Sequence, residues 1–256
     1  MYENLEKLIE TVNILRSENG CQWDREQTHQ SLKPNMLEEA YEAVDAIDNN
    51  DMKHLKEELG DVLLQVVLHS QIAKEEGYFT IEDVAKEIKE KLVRRHPHVF
   101  GEVQVNSTQE ILDNWEQIKR EEKTHRTSIM DGISKSQSAL MSAQKISKKA
   151  VKTGFEWPNQ ETLYKCIFSE IQEFQEACQD SDKEHIEEEM GDILFAIVNL
   201  ARWNKLDAEQ ALLKANKKFI KRFKKMEELA TKALEKYSFE EFDNLWEQAK
   251  KDILAV

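Results

Sequence analysis

The sequence predicts an all-α protein built from two tandem copies of one helical-bundle domain. Three observations support this fold class. The 256 residues include only 7 Gly and 3 Pro, so turn and strand-end signals are few. Apolar residues recur at helical spacing, and no segment shows the strict alternation of a half-buried strand. Finally, the second half of the chain repeats the motifs of the first half in the same order.

The evidence for duplication is a nearly constant offset between matching segments. Segments rich in acidic residues, and a Trp-containing motif near the end of each half, are displaced by 131 positions. A basic segment is displaced by 127 positions. The matching pairs are LEEAYEAVDA (37–46) with FSEIQEFQEA (168–177), LKEELGDVLLQVV (55–67) with IEEEMGDILFAIV (186–198), EKLVRR (90–95) with KKFIKR (217–222), and WEQIK (115–119) with WEQAK (246–250).

The junction between the copies has the composition of a linker. From Lys123 to Ser138 the chain is rich in Ser and Thr and shows no sustained apolar period. We therefore predict an N-terminal domain at 1–125, a linker at 126–138 and a C-terminal domain at 139–256, with the boundary near Ser134.

Each half is predicted to contain five helices that are interrupted at recognisable signals. Apolar residues from Leu5 to Leu15 recur at helical spacing, NGCQWD interrupts this helix, and DNND forms the turn between the next two. TIED, which begins at Thr80, has the form of a capping box. RRHPHVFGE is expected to be irregular because Pro97 bars helix continuation. The predicted helices are 2–17, 36–48, 52–76, 80–91, 108–122, 139–151, 160–179, 183–203, 207–235 and 239–253.

Charge and targeting signals limit the classes of function. With 36 basic and 50 acidic residues the net charge is −14, and no segment is a basic domain, so nucleic-acid binding is not expected. The longest apolar stretch, Val62 to Ala73, is too short to cross a bilayer. Cys21, Cys166 and Cys178 lack the spacing of a disulfide framework, and the N-terminus does not resemble a signal peptide. We expect a cytoplasmic protein without membrane contact.

Four acidic residues recur at the same spacing in each half. Each set consists of two pairs whose members are three residues apart, and fifteen residues separate the pairs. Residues three apart share a helix face, and fifteen residues let the chain turn back, so the pairs can face each other across a helical hairpin. The sets are Glu39, Glu42, Glu58 and Asp61 in the first half and Glu170, Glu173, Glu189 and Asp192 in the second.

Two interpretations of these acids compete. Acidic helix faces are usually solvated surface in a chain with 34% charged residues. However, Asp61 is followed by VLLQVVL and Asp192 by ILFAIVNL, which is typical of helices buried over much of their circumference. Carboxylates near a core need a compensating cation, and few basic residues lie nearby in sequence. A divalent metal bound by these eight acids is therefore the favoured hypothesis.

The acidic pattern resembles that of the MazG-like family of all-α nucleoside triphosphate pyrophosphohydrolases. The resemblance continues through GCQWDREQT, LEEAYE, EELGD, RRHPHVF, WEQIK, IEEEMGD, NLAR and WEQAK, in this order, and so covers almost the whole chain. It implies hydrolysis of nucleoside triphosphates between the α and β phosphates, which yields the monophosphate and pyrophosphate, over a broad NTP and dNTP range. It also implies a homodimer.

The resemblance also implies roles for individual residues. The four acids of the second half would bind Mg²⁺, for which Mn²⁺ can substitute. Lys218 and Arg222 would contact the triphosphate, and Trp246 would lie beside the nucleotide. In this family the C-terminal copy is usually the active one, and the N-terminal copy acts as partner or regulator. One departure is Ser169, which stands where the first copy has Glu38.

The expected chemistry is attack by a metal-activated water. The four carboxylates and the triphosphate each carry about −4, so on the order of two Mg²⁺ ions must bring them together. Glu173, Glu189 and Asp192 are the predicted catalytic residues, and Glu173 is a candidate to accept the proton of the water.

Several alternatives stay open at this stage. Lys218 and Arg222 would also suit a solvated basic stripe, and Trp246 a core or interface position. The residues do not decide which copy is active. Two other functions are compatible with the scaffold: a non-catalytic nucleotide-binding regulatory or interaction protein, and a narrow hydrolase for dUTP or damaged nucleotides.

Overall fold

The computed structural model describes residues 2–122, 127–180 and 182–254. These ranges contain twelve α-helices and one short 3₁₀ helix, and they contain no β-strand, so the all-α fold class is confirmed. The chain divides into two compact units, Met1–Lys123 and Thr124–Val256. Among the described residues, none of the helices is both long and apolar enough to cross a membrane. The predicted linker begins at Arg126, which lies outside the described residues, and 127–138 contains no helix.

Seven helices form the N-terminal unit and five helices form the C-terminal unit. In the N-terminal unit they are α1 (Glu3–Arg16), α2 (Gln22–Glu26), α3 (Lys33–Asp48), α4 (Met52–Glu75), α5 (Ile81–Arg95), α6 (Pro97–Phe100) and α7 (Thr108–Glu121). In the C-terminal unit they are α8 (Ala139–Val151), α9 (Gln160–Asp180), α10 (Lys183–Trp203), α11 (Ala208–Leu229) and α12 (Phe239–Leu254), with the 3₁₀ helix at Leu234–Lys236 between the last two.

Two predictions about the chain around Pro97 were wrong. The helix predicted to run through Lys91 continues to Arg95, and RRHPHVFGE is not irregular throughout, because Pro97 starts the short helix α6. Proline blocks the interior of a helix, but its fixed φ suits the first helical turn. The short helix α2 was not predicted either, because five residues carry too little periodicity to be recognised.

The single helix predicted at 207–235 was also wrong, because α11 ends at Leu229 and Ala230 is extended. The chain leaves the helix to cover a small core formed by Met226, Leu245 and Ala249. Leu229, Ala230, Leu234 and Tyr237 pack against this core from the turn. Burial of these side chains outweighs the helix propensity of the segment, which is only a weak preference.

Aspartate caps place the acidic helices in the same register in both units. The Asp51 carboxylate accepts hydrogen bonds from the backbone N–H groups of Lys53 and His54 at the start of α4. Asp182, 131 positions later, caps α10 in the same way. Asp51 lies seven residues, or two helical turns, before Glu58, and Asp182 lies seven residues before Glu189. The starting points of α4 and α10 are therefore equivalent.

Helical hairpins form the centre of each unit, α3 against α4 and α9 against α10. The N-terminal core consists of Val12, Leu32, Val67, Leu68 and Ile72. Its C-terminal counterpart consists of Leu163, Ile167 and Ala196, with Trp157, Leu200 and Trp203 packed around it. These cores lie toward the open end of each hairpin, and the acidic residues lie between the core and the connecting turn.

An ion-pair cluster fastens the end of α5 to the residue that follows α7. The Glu122 carboxylate accepts hydrogen bonds from Arg94 Nε at 2.7 Å and from Arg95 Nε at 3.0 Å. The hydrogen bonds from Arg95 and Arg94 lower the pKa of Glu122 to about 2. In the N-terminal unit one carboxylate therefore pairs with two basic side chains.

Leu163→Ala is expected to lower the free energy of unfolding by about 2–5 kcal/mol, because Leu163 is fully buried and its truncation leaves a cavity. Urea unfolding followed by circular dichroism measures the change. Lys165→Ala on the same helix is the control, since its side chain is 73% exposed, and it should change the free energy by less than about 0.5 kcal/mol. Equal effects of the two substitutions would contradict the position of this core.

Glu122→Gln removes the negative charge of the ion-pair cluster and is expected to destabilise the protein at neutral pH. The loss should be only about 1 kcal/mol, because the ion pair is partly exposed to solvent. The folded-state pKa of Glu122, about 2, lies below its ordinary value of 4.5. Its contribution is thus complete above pH 4.5 and is lost as the pH falls toward 2. Urea unfolding across this range should show the difference between variant and wild type shrinking. A difference that stays constant down to pH 2 would argue against the ion pair.

Candidate metal centre

Each helical hairpin brings three carboxylates together. In the N-terminal unit they are Glu39 from α3 with Glu58 and Asp61 from α4, and one oxygen of each lies within 4.8 Å of the others. In the C-terminal unit Glu170 and Glu173 from α9 meet Glu189 from α10 within the same distance. Six of the eight predicted metal ligands therefore form two compact groups.

The remaining two acids lie beside these groups. In the N-terminal unit the charge of Glu58 is the main cause that raises the pKa of Glu42, so the two carboxylates are neighbours. In the C-terminal unit Asp192 borders a cavity together with Glu170. The two hairpins thus present acids at equivalent positions but differ in which three of the four lie close together.

Buried glutamates indicate that the groups suit a cation. Glu58 is 5% exposed and Glu189 is 8% exposed, and the Oε2 atom of each is buried without a hydrogen-bond partner. Their Oε1 atoms contact the Nε2 atoms of His54 at 2.7 Å and His185 at 3.3 Å. A buried carboxylate oxygen without a partner is costly, and carboxylate oxygens are the ligands that hard divalent cations prefer. The residues present therefore fit a bound Mg²⁺ or Mn²⁺.

Mutual repulsion between the carboxylates reinforces this fit. Burial, followed by the charges of Asp61, Glu42 and Glu58, raises the pKa of Glu39. Without a cation Glu39 therefore retains its proton to higher pH than an ordinary glutamate. A divalent ion removes this repulsion, and its binding competes with protonation.

Some site residues were not identified from the sequence. His54 and His185 lie four residues before Glu58 and Glu189, and their common offset of 131 is the signal in the sequence that could have identified them. Ser169, which stands where the first copy has Glu38, donates a hydrogen bond of 2.7 Å to Glu173 Oε1. This serine holds the carboxylate instead of adding another charge.

A thiol contacts the C-terminal group of acids. Cys166 donates a hydrogen bond of 3.4 Å to Glu170. Burial and the neighbouring Glu170 raise the pKa of this thiol to about 11. Cys166 therefore stays protonated at neutral pH and is not a nucleophile.

A cavity of about 600 Å³ adjoins the C-terminal acids. Its walls are mostly apolar, with the aromatic rings of Phe155, Trp157 and Phe195, and Glu170 and Asp192 lie at its edge. Several polar side chains that line it have partners, although Arg202 Nε is buried without one among the described residues. Ser147 donates to Asn199 Oδ1 at 2.6 Å, and Arg202 makes two hydrogen bonds of 2.6 Å to Glu156.

The predicted basic residues belong to the α11–α12 pair and not to the acidic hairpin. Arg222 lies over the ring of Trp246 at 5.7 Å, as Arg95 lies over Trp115 at 5.4 Å in the first unit. Within the described ranges, no ion pair joins Lys218 or Arg222 to the four carboxylates. Trp246 also packs at the edge of the small core around Leu245, so its ring has a structural contact as well.

Comparison with known proteins finds a domain of the same family in both units. The family model for the MazG nucleotide pyrophosphohydrolase domain matches residues 27–100 and 158–227. The chain is 49% identical over 249 residues, 96% of its length and 95% of the relative's, to the nucleoside triphosphate pyrophosphohydrolase/pyrophosphatase MazG of Thermotoga maritima. It is 43% identical over 255 residues, 96% of its length and 97% of the relative's, to a nucleoside triphosphate pyrophosphohydrolase of Escherichia coli K12.

A further relative is an uncharacterised protein of Bacillus subtilis, YabN, which is 47% identical over 256 residues. The match covers 98% of this chain but only 52% of that protein. The family model matches more than half of the chain, and relatives align over nearly its full length. With two family domains that each carry a carboxylate group on a helical hairpin, this chain belongs to the MazG nucleotide pyrophosphohydrolase family.

Proposed function

We propose that the protein hydrolyses nucleoside triphosphates between the α and β phosphates, and that the C-terminal copy carries the reaction. The observation that supports this most directly is the unpartnered, buried Oε2 of Glu189 in a carboxylate group that adjoins a cavity of about 600 Å³. A cation at the carboxylates and a nucleoside in the cavity would place a triphosphate between them. The family and the names of the relatives support the same activity.

The metal ligands in this proposal are Glu170, Glu173, Glu189 and Asp192. Bound Mg²⁺, or Mn²⁺ in its place, would supply charge neutralisation and an acidified water. Glu173 is the group that would accept the proton, because it is the most exposed of the three clustered acids and Ser169 holds it in place. His185 orients Glu189 through their contact of 3.3 Å.

The basic residues differ between the copies in a way that favours the C-terminal one. Arg95 and Arg222 each lie over a Trp ring, but Arg95 is also held by Glu122, and Ile253 stands at the position that corresponds to Glu122. Lys218 is exposed. In our proposal Lys218 and Arg222 bind the triphosphate, with Trp246 beside the nucleotide, and the N-terminal copy serves as partner or regulator.

The cavity supports a broad range of NTP and dNTP substrates. Ser147 is paired with Asn199, and the terminal nitrogens of Arg202 are paired with Glu156. Arg202 Nε is left as a buried donor without a partner among the described residues, and few polar groups besides it remain to read the edge of a base. Apolar walls distinguish ligands of similar size only weakly. We therefore expect bases to be accepted mainly by shape.

A homodimer is also part of the proposal. The hairpin of α9 and α10 exposes large apolar side chains, among them Phe168 at 67%, Leu194 at 52% and Ile197 at 46%. A contiguous exposed apolar face commonly marks a protein interface. A second copy of this chain is the partner that the resemblance implies.

Product analysis tests the proposed reaction. The protein is incubated with Mg²⁺ and each NTP or dNTP in turn, and the products are separated by ion-exchange chromatography. Monophosphate with pyrophosphate is the expected outcome for all common bases. Diphosphate with phosphate, or binding without turnover, would refute the proposal, and turnover of dUTP alone would replace it with a narrow hydrolase.

Glu189→Gln and Asp192→Asn are each expected to lower kcat by roughly 100-fold or more, because each removes a charge that holds the catalytic cation. The same changes in the first copy, Glu58→Gln and Asp61→Asn, are the matched controls and should cost much less. Steady-state pyrophosphate release measures both pairs. If only the first-copy variants lose activity, the N-terminal copy is the catalytic one.

Lys218→Gln is expected to lower kcat/KM for ATP by roughly 10- to 100-fold, because a charge-assisted contact with the triphosphate is lost. Lys91→Gln, at the equivalent position of the first copy, is the control and should leave kcat/KM close to the wild-type value. Binding of Mn²⁺, followed by electron paramagnetic resonance, should be the same in both variants. Equal kcat/KM values for the two variants would argue against a triphosphate contact by Lys218.

A further inference from the structure

The inner face of α4 carries a line of buried polar atoms that have no hydrogen-bond partner. They are Glu58 Oε2, Gln65 Oε1 and His69 Nε2. Gln65 follows Glu58 by seven residues and His69 follows Gln65 by four, so all three lie on one side of the helix. Gln65 is only 5% exposed. A buried amide oxygen without a partner indicates that a polar group from outside the chain belongs beside it.

The second copy has an apolar face at the same place. Ala196 stands at the position equivalent to Gln65, and Leu200 stands at the position equivalent to His69. Ala196 lines the cavity beside the C-terminal acids, and Leu200 packs on the core. At these two positions the copies therefore differ in chemistry, apolar in the C-terminal unit and hydrogen-bonding in the N-terminal unit, whereas Asn199 and Arg202 add polar groups elsewhere on the C-terminal cavity wall.

A second histidine completes the polar face. His29, in the turn before α3, stacks on His69 with the ring planes 3° apart, and their Nδ1 atoms are 2.7 Å apart. One of these nitrogens must donate and the other must accept. Burial and the charge of His29 lower the pKa of His69, which favours the neutral form of its ring. His69 Nε2 is therefore a donor in one tautomer and an acceptor in the other.

We propose that the N-terminal copy is a second nucleotide site, in which Gln65 and His69 hydrogen-bond to the edge of the base. The cation and phosphates would lie at Glu39, Glu58 and Asp61. The helical rise places Gln65 about 6 Å and His69 about 12 Å beyond Asp61 along α4, in the direction in which ribose and base would extend. This inference rests on the proposed function to the extent that the carboxylates bind a nucleotide through a cation.

Base selectivity is the property that distinguishes the two sites. A site built to hydrogen-bond a ligand rejects analogues with the wrong polar pattern, since its own buried groups are then left unpaired. An apolar cavity discriminates weakly between ligands of similar size. The N-terminal copy should thus respond to particular bases while the C-terminal copy accepts many.

The test isolates each site in the full-length chain. The double substitution Glu189→Gln with Asp192→Asn disables the C-terminal acids. Calorimetry in the presence of Mg²⁺ then measures the binding of tripolyphosphate and of the α,β-methylene analogues of ATP, GTP, CTP and UTP. The remaining site should bind about one analogue per chain, with dissociation constants that differ roughly tenfold or more between bases. The reciprocal chain, with Glu58→Gln and Asp61→Asn, should show a spread below about threefold.

Substitutions on the polar face then test its role. Gln65→Ala and His69→Leu, which introduce the residues that the second copy already carries, should reduce the spread between bases to below about threefold. The affinity for tripolyphosphate should stay the same, because it has no base. Gln65→Ala is also measured alone, and circular dichroism verifies that each variant is folded.

Three outcomes would overturn the inference. The first is absence of nucleotide binding once the C-terminal acids are disabled. The second is a spread below threefold at the N-terminal site, which would mean that only water satisfies Gln65 and His69. The third is an unchanged spread in the folded Gln65→Ala chain. None of these outcomes affects the proposed function, because pyrophosphate release by the wild-type protein would be unchanged. Conversely, base-selective binding at the N-terminal site without any pyrophosphate release would refute the proposed function and leave this inference standing.

Discussion

One buried glutamate in each helical hairpin is the constraint on which the arrangement of this protein depends. Glu58 and Glu189 lie deep between antiparallel helices, and each has an oxygen atom that no protein group satisfies. Such an arrangement is unfavourable unless a cation is bound, because desolvation penalises an uncompensated charge. The surrounding groups are arranged around this glutamate in both units. They are the facing acids of α3 and α9, the aspartate cap at the start of its helix and the histidine beside its Oε1 atom.

The two copies keep that constraint and differ around it. In the N-terminal unit Glu122 neutralises Arg95, and the wall beyond the acids carries Gln65 and His69. In the C-terminal unit Ile253 stands at the position of Glu122, and Ala196 and Leu200 stand at the positions of Gln65 and His69, beside a cavity of about 600 Å³. The tandem duplication thereby contains two groups of carboxylates with different surroundings.

Sequence reasoning succeeded where a property depends on local periodicity and failed where packing decides. The all-α fold class and membership of the MazG family are confirmed. The helix predicted at 207–235 was wrong because the residues after Leu229 leave the helix to cover a core that includes Leu245. The predicted roles of the acids, of Lys218 and Arg222 and of Trp246 stay predictions, although the acids do gather into two compact groups.

The sequence by itself determined the duplication, the helical class and the identity of the acidic residues, because these depend on spacing along one chain. Only the tertiary structure decided which acids are buried, which oxygen atoms lack a partner and what lies beside them. Burial depends on side chains from other helices, and spacing contains no information about them. The stacking of His29 on His69 and the apolar wall at Ala196 are of this kind, since each is formed by residues that are distant in sequence.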